Sequence, residues 1–359
     1  MDREVDILVT GTGFVAGHII DALRVKHPTW KLSVLDIKPS ESWKDPSIPY
    51  YQADITKLDQ LTEAVQKSKP ELIIHTAGWV PGGPARYARR DLGQVMKINV
   101  DGTKNVLEAA KQAGVRAFIY TSSCCIVTDD MKHEYPNMDE SLPTGLATLI
   151  YGHSKGIAEP FVLQANSEKL ATCAIRPSVI LGPPSRHCPG DYQLVPQIHA
   201  CIAKLETPFI IGSGENLYDF TFVTNVADAH VLAVENLLST KTAAGEAFFI
   251  SNQEAVPFRD FMLAIWREFG HIPPFEIRIP EYLAWLAGFF AEWVAWLMGT
   301  SATATLSRGS VQDATGTRYA SGEKARKVLG YYPRIGLQEG IQIACKEYGE
   351  RLKTLAKPA

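Results

Sequence analysis

Residues 5–17, V-D-I-L-V-T-G-T-G-F-V-A-G, constrain the fold of this chain more than any other stretch. A β-branched run at 5–10 opens directly onto Gly11 and Gly13, and helix-forming sequence follows. Glycines in such a turn let the backbone approach a pyrophosphate, which the next helix N-terminus stabilises through unpaired N–H groups and its dipole. Gly11, Gly13 and Ala16 satisfy G-x-G-x-x-A, with Phe14 and Val15 between them. That pattern alone is weak, and the strand–turn–helix order is what gives it weight.

The same rhythm continues for about 180 residues. Strands are predicted at 32–36, 50–53, 72–76, 117–122 and 171–176, with helices at 94–113 and from about Tyr151. Alternation of this kind builds an α/β, doubly wound parallel sheet of the Rossmann type. Residues 1–180 are expected to form the dinucleotide-binding domain. Residues 181–359 are expected to form a smaller C-terminal α/β substrate lobe, with 218–252 returning to the Rossmann core. Pro183, Pro184, Pro189 and Gly190 mark the loop between them. The 36 basic against 39 acidic residues leave a net charge of −3, which gives no reason to expect a nucleic-acid partner. Cys124, Cys125, Cys173, Cys188, Cys201 and Cys345 lack paired metal spacing, and neither they nor His75 and His153 suggest a metal or thiol mechanism. Met1–Glu4 run straight into the first strand, so no signal peptide is expected, and the compartment reads as cytosol or a membrane surface facing it.

Asp36 closes the second strand, where a carboxylate can accept both ribose hydroxyls of NAD and repel the extra phosphate of NADP. Tyr151 and Lys155, in Y-G-H-S-K, share one face of a helix. An ammonium beside a phenol favours phenolate, so Lys155 is expected to lower the Tyr151 pKa and ready it for proton transfer. Ser122 and Ser123 end the fifth strand, on the sheet edge where such folds bind ligands, and one of the two hydroxyls can hold a substrate oxygen.

With these residues the chain resembles the extended short-chain dehydrogenases along nearly its whole length. The likeness also rests on A-D-I-T, H-T-A-G, N-V-D-G-T, Y-T-S-S and I-R-P-S-V-I-L-G-P. It implies that Asp54 and Ile55 flank an adenine and that Thr76, Ala77 and Gly78 line the cofactor cleft. It further implies that Asn99 supports the catalytic lysine through water and that Pro177 and Val179 meet the nicotinamide. Ser123 aligns best with the catalytic serine, with Ser122 as the fallback beside the substrate. The family usually shows G-x-x-G-x-x-G, and the turn here reads as one residue shorter.

Within that family, Gly212–Ala233, Gly245–Asn252 and E-K-A-R-K-V-L-G-Y resemble the sterol and 3β-hydroxysteroid dehydrogenase branch, including its decarboxylating members. The resemblance implies NAD-dependent oxidation of a 3β-hydroxyl, with loss of a 4-carboxylate as carbon dioxide where one is present. A dehydrogenase or ketoreductase of terpenoid or polyketide metabolism is the alternative. A nucleotide-sugar epimerase or dehydratase is disfavoured, because Tyr218 stands where those enzymes carry a phosphate-gripping Arg. A regulator that only senses NAD is disfavoured by the intact Tyr/Lys pair. Arg86, Arg89 and Arg90 read most simply as a solvated helix start, with a carboxylate grip as the sharper alternative.

Residues 282–298, Y-L-A-W-L-A-G-F-F-A-E-W-V-A-W-L-M, are apolar apart from Glu292. The run is short of the ~20 residues a spanning helix needs, and Trp285, Trp293 and Trp296 suit an interface. Peripheral attachment to the endoplasmic reticulum membrane surface and a cap over the substrate pocket are both compatible with it. Trp79, after the fourth strand, also fits an apolar small-molecule substrate. A homodimer is compatible with this reading.

Overall fold

The computed structural model describes residues 3–43, 45–188, 194–298 and 306–355; Pro189 and Gly190 of the expected loop lie outside them. The first half runs β1 (Asp6–Thr10), α1 (Phe14–Lys26), β2 (Lys31–Asp36), β3 (Tyr50–Gln52), α2 (Leu58–Ser68), β4 (Leu72–His75), α3 (Leu92–Met96), α4 (Gly102–Gln112), β5 (Ala117–Thr121), β6 (Tyr135–Met138), α5 (Ile150–Gln164) and β7 (Ala171–Pro177). Then come β8 (Val179–Leu181), α6 (Leu194–Ala203), β9 (Phe209–Ile211), β10 (Leu217–Tyr218), β11 (Phe220–Phe222), α7 (Val223–Leu237) and β12 (Glu246–Ile250). The remainder is β13 (Val256–Pro257), α8 (Phe258–Glu268), β14 (Ile277–Ile279), α9 (Glu281–Leu297), α10 (Arg308–Thr315), β15 (Arg318–Ala320), α11 (Glu323–Leu329) and α12 (Leu337–Leu355).

A seven-stranded parallel sheet in the order β12-β7-β5-β4-β1-β2-β3 forms the centre. Its strands alternate between two cores. Ile7 and Val9 pack with α1 and α7 on one face, while Leu8 turns to α2, α4 and α5 on the other. Period-two alternation with both faces apolar requires helices on both sides, which a parallel sheet supplies through its crossovers. From β1 the chain winds outward through β2 and β3, then crosses to β4 on the other flank. That reversal opens a crevice at the carboxyl ends of β1 and β4, where such sheets bind ligands.

Beyond residue 180 the chain does not stay apart from this sheet. α7 lies on the same core as α1, and β12 pairs with β7 as an edge strand. Arg176 on β7 makes a buried ion pair with Glu159 of α5 (2.6 and 3.1 Å). The other late elements build a third core around Phe220, Phe261, Trp266 and Ile341, and a four-stranded sheet, β13-β10-β15-β6. The predicted helix at 94–113 is interrupted: between α3 and α4, Lys97–Asp101 form a wide π-helical turn. The extra residue re-aims Asn99 without breaking the helix, a device frequent at functional sites.

Candidate active site

The glycine turn packs as close backbone approach demands. Gly11 has φ of +88°, and a Cβ there would meet the Ala77 backbone at 3.0 Å. Counted from Gly11 to Gly17, the turn has the full length of G-x-x-G-x-x-G, not one residue fewer. Phe14 stands where the middle glycine would be. It is the first residue of α1, and its ring meets His18 edge-on at 5.6 Å. Gly13, the residue before α1, offers no side-chain cap, the first turn carries no acidic residue, and the space beside its Cα is open. Unsatisfied helical N–H groups and open space together fit a dinucleotide pyrophosphate.

Around that turn the predicted cofactor residues come together. Asp36 Oδ2 accepts the Thr12 N–H (2.6 Å) and hydroxyl (2.7 Å), while Oδ1 accepts the Lys38 N–H (3.1 Å). Asp54 closes a local turn by accepting from Thr56, and Ile55 is buried against Gly102. Thr76 donates its hydroxyl to the Thr10 carbonyl at 2.6 Å, holding the ends of β1 and β4 together. Pro177 ends β7, and Val179 lines the neighbouring cavity.

The residues expected to handle protons lie near the carboxyl end of β5. Lys155 is buried and donates to the Thr121 carbonyl at 2.8 Å. Its Nζ lies 6.0 Å from the Tyr151 ring centre. Gly152 permits this placement, because a Cβ there would strike the Cys125 carbonyl oxygen at 2.5 Å. Asn99 uses its amide fully: Oδ1 accepts the Trp79 N–H (2.7 Å), and Nδ2 donates to the Trp79 carbonyl (3.0 Å) and Ser154 Oγ (2.9 Å). A Cβ on Gly78 would lie 3.1 Å from Asn99 Oδ1 and 3.4 Å from Lys155 Nζ, so both groups flank that glycine. Ser123 keeps accessible surface and contacts Cys125 through Oγ, whereas the Ser122 hydroxyl is sealed in the interior without a partner among the described residues.

Electrostatics at this point departs from the sequence expectation. Burial pushes the Tyr151 pKa up, the Cys125 and Cys124 thiols add to that, and Arg86 opposes it. Burial also brings Lys155 down to about 8. In the free protein Tyr151 is therefore held as the neutral phenol, with the Arg86 charge opposing the rise.

Beside these groups lies a cavity of about 250 Å³, lined by Met131, Met138, Leu149, Ile198 and Phe258 together with polar groups. Tyr218 is in its wall, but its hydroxyl is held by Asp313 (2.9 Å) and Arg318 (2.9 Å). The sequence around Tyr218 suggests a spot without a cation, but Arg318 and Arg86 bring two into the same wall. Trp79 is not among the lining residues; its backbone serves as the partner of Asn99. Arg86, Asp313 and Arg318 carried no signal of a shared site, since more than 200 residues separate the first from the other two.

Residues 7–281 match the model of the 3-beta hydroxysteroid dehydrogenase/isomerase family. A sterol-4-alpha-carboxylate 3-dehydrogenase (decarboxylating) of Schizosaccharomyces pombe is 36% identical over 341 residues, covering 94% of this chain and 95% of the relative. The protein of that name from Saccharomyces cerevisiae is 34% identical over 93% of this chain and 95% of its own length. The human one is 30% identical over 93% and 86%. Among solved structures, a UDP-glucose 4-epimerase of Thermotoga maritima superposes with a TM-score of 0.71 at 19% identity, covering 98% of this chain and 100% of that one. An epimerase of Methanothermobacter thermautotrophicus gives 0.74 at 20%, over 98% and 94%. At that identity the structural likeness speaks for the fold, while the sequence matches reach further. This chain belongs to the 3-beta hydroxysteroid dehydrogenase/isomerase family.

Proposed function

We propose that the protein oxidises the 3β-hydroxyl of a sterol to a ketone with NAD, and that a carboxylate on carbon 4 then leaves as carbon dioxide. The observation that carries this reading is that Lys155, one helical turn from Tyr151, reaches the end of β5 just before Ser123 and flanks Gly78 together with Asn99, near a largely apolar cavity that Cys124 and Cys125 line. The names of the sequence relatives support the substrate class.

NAD bound along the turn supplies the acceptor for the hydride. Gly11, Gly13 and the first N–H groups of α1, Phe14 and Val15 included, would hold its pyrophosphate, and Asp36 its adenosine ribose, preferring NAD to NADP. Thr76, Ala77, Gly78, Pro177 and Val179 would line the cleft, with Asp54 and Ile55 at its adenine end. Ser123 donates a hydrogen bond to the carbinol oxygen. Once its own proton has passed to solvent, with the Lys155 ammonium favouring the phenolate, Tyr151 takes the hydroxyl proton as the hydride leaves carbon 3. Asn99 fixes the Gly78–Trp79 backbone next to the ammonium. The product of a 4-carboxysterol is a β-keto acid. Its C4–carboxyl bond breaks, the electron pair passes to the ketone oxygen as an enolate, and protonation at carbon 4 restores the ketone.

The test is direct. Wild-type protein with NAD and a 4α-carboxysterol should yield NADH and a 3-ketone one carbon shorter. Tyr151→Phe should fold and bind NADH yet lose about 10²–10⁴-fold in turnover. Near-normal turnover by that variant would reject the chemistry. A wild type that oxidises a simple 3β-hydroxysteroid but not the 4-carboxysterol would reject the substrate.

Helix α9 adds a location to this reading. Among the described residues no helix is long and apolar enough to cross a membrane. Yet α9 leaves Tyr282, Leu286, Phe290, Trp293 and Trp296 exposed, the last at 74%. Its mid-helix charge is paired, because Glu292 accepts from the Arg308 side chain (2.7 Å) and backbone N–H (2.8 Å). The outer face is thus apolar and tryptophan-rich, and it suits the interfacial layer of a lipid bilayer.

A further inference from the structure

The cavity wall holds two guanidiniums, and among the described residues only Arg318 has hydrogen-bond acceptors; Arg86 lies over the Tyr87 ring at 5.6 Å. Arg318 donates to Asp313 Oδ1 (2.5 Å), the Tyr218 hydroxyl (2.9 Å), the Met131 carbonyl (3.1 Å) and the Gln312 carbonyl (3.2 Å). Asp313 is saturated in turn, since Oδ2 accepts the Tyr87 hydroxyl at 2.6 Å and Oδ1 also accepts that of Tyr218 at 2.9 Å. Asp219, the other carboxyl of the wall, accepts the Ala320 N–H at 2.9 Å, and burial raises its pKa to about 6.

Arg86 differs. Among the described residues its guanidinium has no hydrogen-bond acceptor and no carboxylate within ion-pairing distance, although the field of Asp313 reaches it. Arg86 is exposed, and it is one of the residues that line the cavity. Arg86 shares the cavity wall with Cys125, whose carbonyl oxygen would lie 2.5 Å from a Cβ on Gly152, the residue after Tyr151, so Arg86 stands near the reacting end. A guanidinium is a planar fork that matches a carboxylate in two parallel hydrogen bonds.

We infer that Arg86 is the receptor for the substrate's carboxylate, on the carbon next to the reacting carbinol. This rests on the proposed oxidation of a 4-carboxysterol and names the residue that selects it. The position follows from connectivity: the carboxyl carbon is two bonds from carbon 3, so its receptor must stand close to Tyr151. At about 250 Å³ the cavity is smaller than the roughly 300–1,000 Å³ of whole-ligand sites. It therefore takes the carboxylated head and leaves the rest of the molecule outside. The reaction then removes its own anchor, because carbon dioxide carries no charge for Arg86 to hold.

The experiment compares kcat/KM for NAD-dependent oxidation of a 4α-carboxysterol with that for the same sterol lacking the carboxyl. Arg86→Leu should lower the ratio of the two about 30-fold, chiefly through KM of the carboxysterol, a loss in the range of a charge-assisted hydrogen-bonded pair. Arg86→Lys keeps the charge, loses the fork, and should lower the ratio about 5-fold. If both variants slow both substrates equally, Arg86 has only a structural role and the inference is overturned while the proposed function stands. If the wild type oxidises the plain sterol but not the carboxysterol, the proposed function and the inference fall together.

Discussion

Replacing Lys155 with Met should stabilise the free protein while destroying its activity. Lys155 is 3% exposed, and burial brings its pKa from 10.5 to about 8, with Cys125 and Glu159 partly opposing. At 1.36 kcal/mol per pH unit, this gap corresponds to about 3 kcal/mol of penalty on the ammonium. Met fills a similar volume without charge. It also removes the hydrogen bond to the Thr121 carbonyl, worth about 1.5–3 kcal/mol for a charged donor. The net gain is then about 0–2 kcal/mol near pH 6.5. Its pH dependence is the sharper signature. The folded pKa is depressed, so below about pH 8 both folded and unfolded wild type carry the proton and the whole penalty is present. Between about 8 and 10.5 the unfolded chain binds more protons than the folded one, and wild-type stability rises with pH. Lys155→Met lacks this response. Urea unfolding of both proteins at pH 6.5 and 9.5 should show the variant's advantage shrinking at the higher pH. An advantage that stays constant, or a variant that gains ground as pH rises, would refute the account of a strained buried ammonium.

Asp36→Ser should lower the NAD-to-NADP ratio of kcat/KM about 10–100-fold, because it removes the carboxylate that repels a 2′-phosphate while Lys38 remains nearby; the two cofactors titrated against one sterol measure it. Glu159→Ala leaves the buried Arg176 guanidinium without its carboxylate and should cost about 3–5 kcal/mol in urea unfolding; a loss below 1 kcal/mol would show that the pair contributes little. The double variant Trp293→Glu, Trp296→Glu should lose binding to phosphatidylcholine vesicles in co-sedimentation, and unchanged sedimentation would reject an interfacial α9.

The central sheet could be read in advance because its information is local. Ile7, Leu8 and Val9 declare two buried faces by simple alternation, and Gly11, Asp36, Ser123 and Tyr151 each sit at an element end that follows from the same count. The interruption at Lys97–Asp101 is different. Its sequence is ordinary helix, and the Asn99 amide within the widened turn meets the Trp79 backbone, a partner twenty residues away. Arg86 likewise reads as a solvated cation, since its meaning depends on a cavity whose opposite wall arrives with Asp313 and Arg318. The Tyr151 pKa was misjudged for a related reason: spacing reveals a neighbour's charge, but enclosure is a property of the finished fold.

The pairing of β12 with β7 governs the order in which this molecule can be assembled. Strands β1 to β7 are complete once residue 177 has been made, yet β7 remains a bare apolar edge until Glu246–Ile250 is available. The cavity waits longer still, because β15 joins β6 and Arg318 engages Asp313 only near the end of the chain. Long-range pairings of this kind form slowly and leave unfinished edges open to other chains. On a ribosome the glycine turn and the proton-transfer pair would therefore emerge first and acquire their finished surroundings last. A nascent chain stalled between residues 180 and 246 holds Tyr151 and Lys155 on a sheet that is still seeking its final strand.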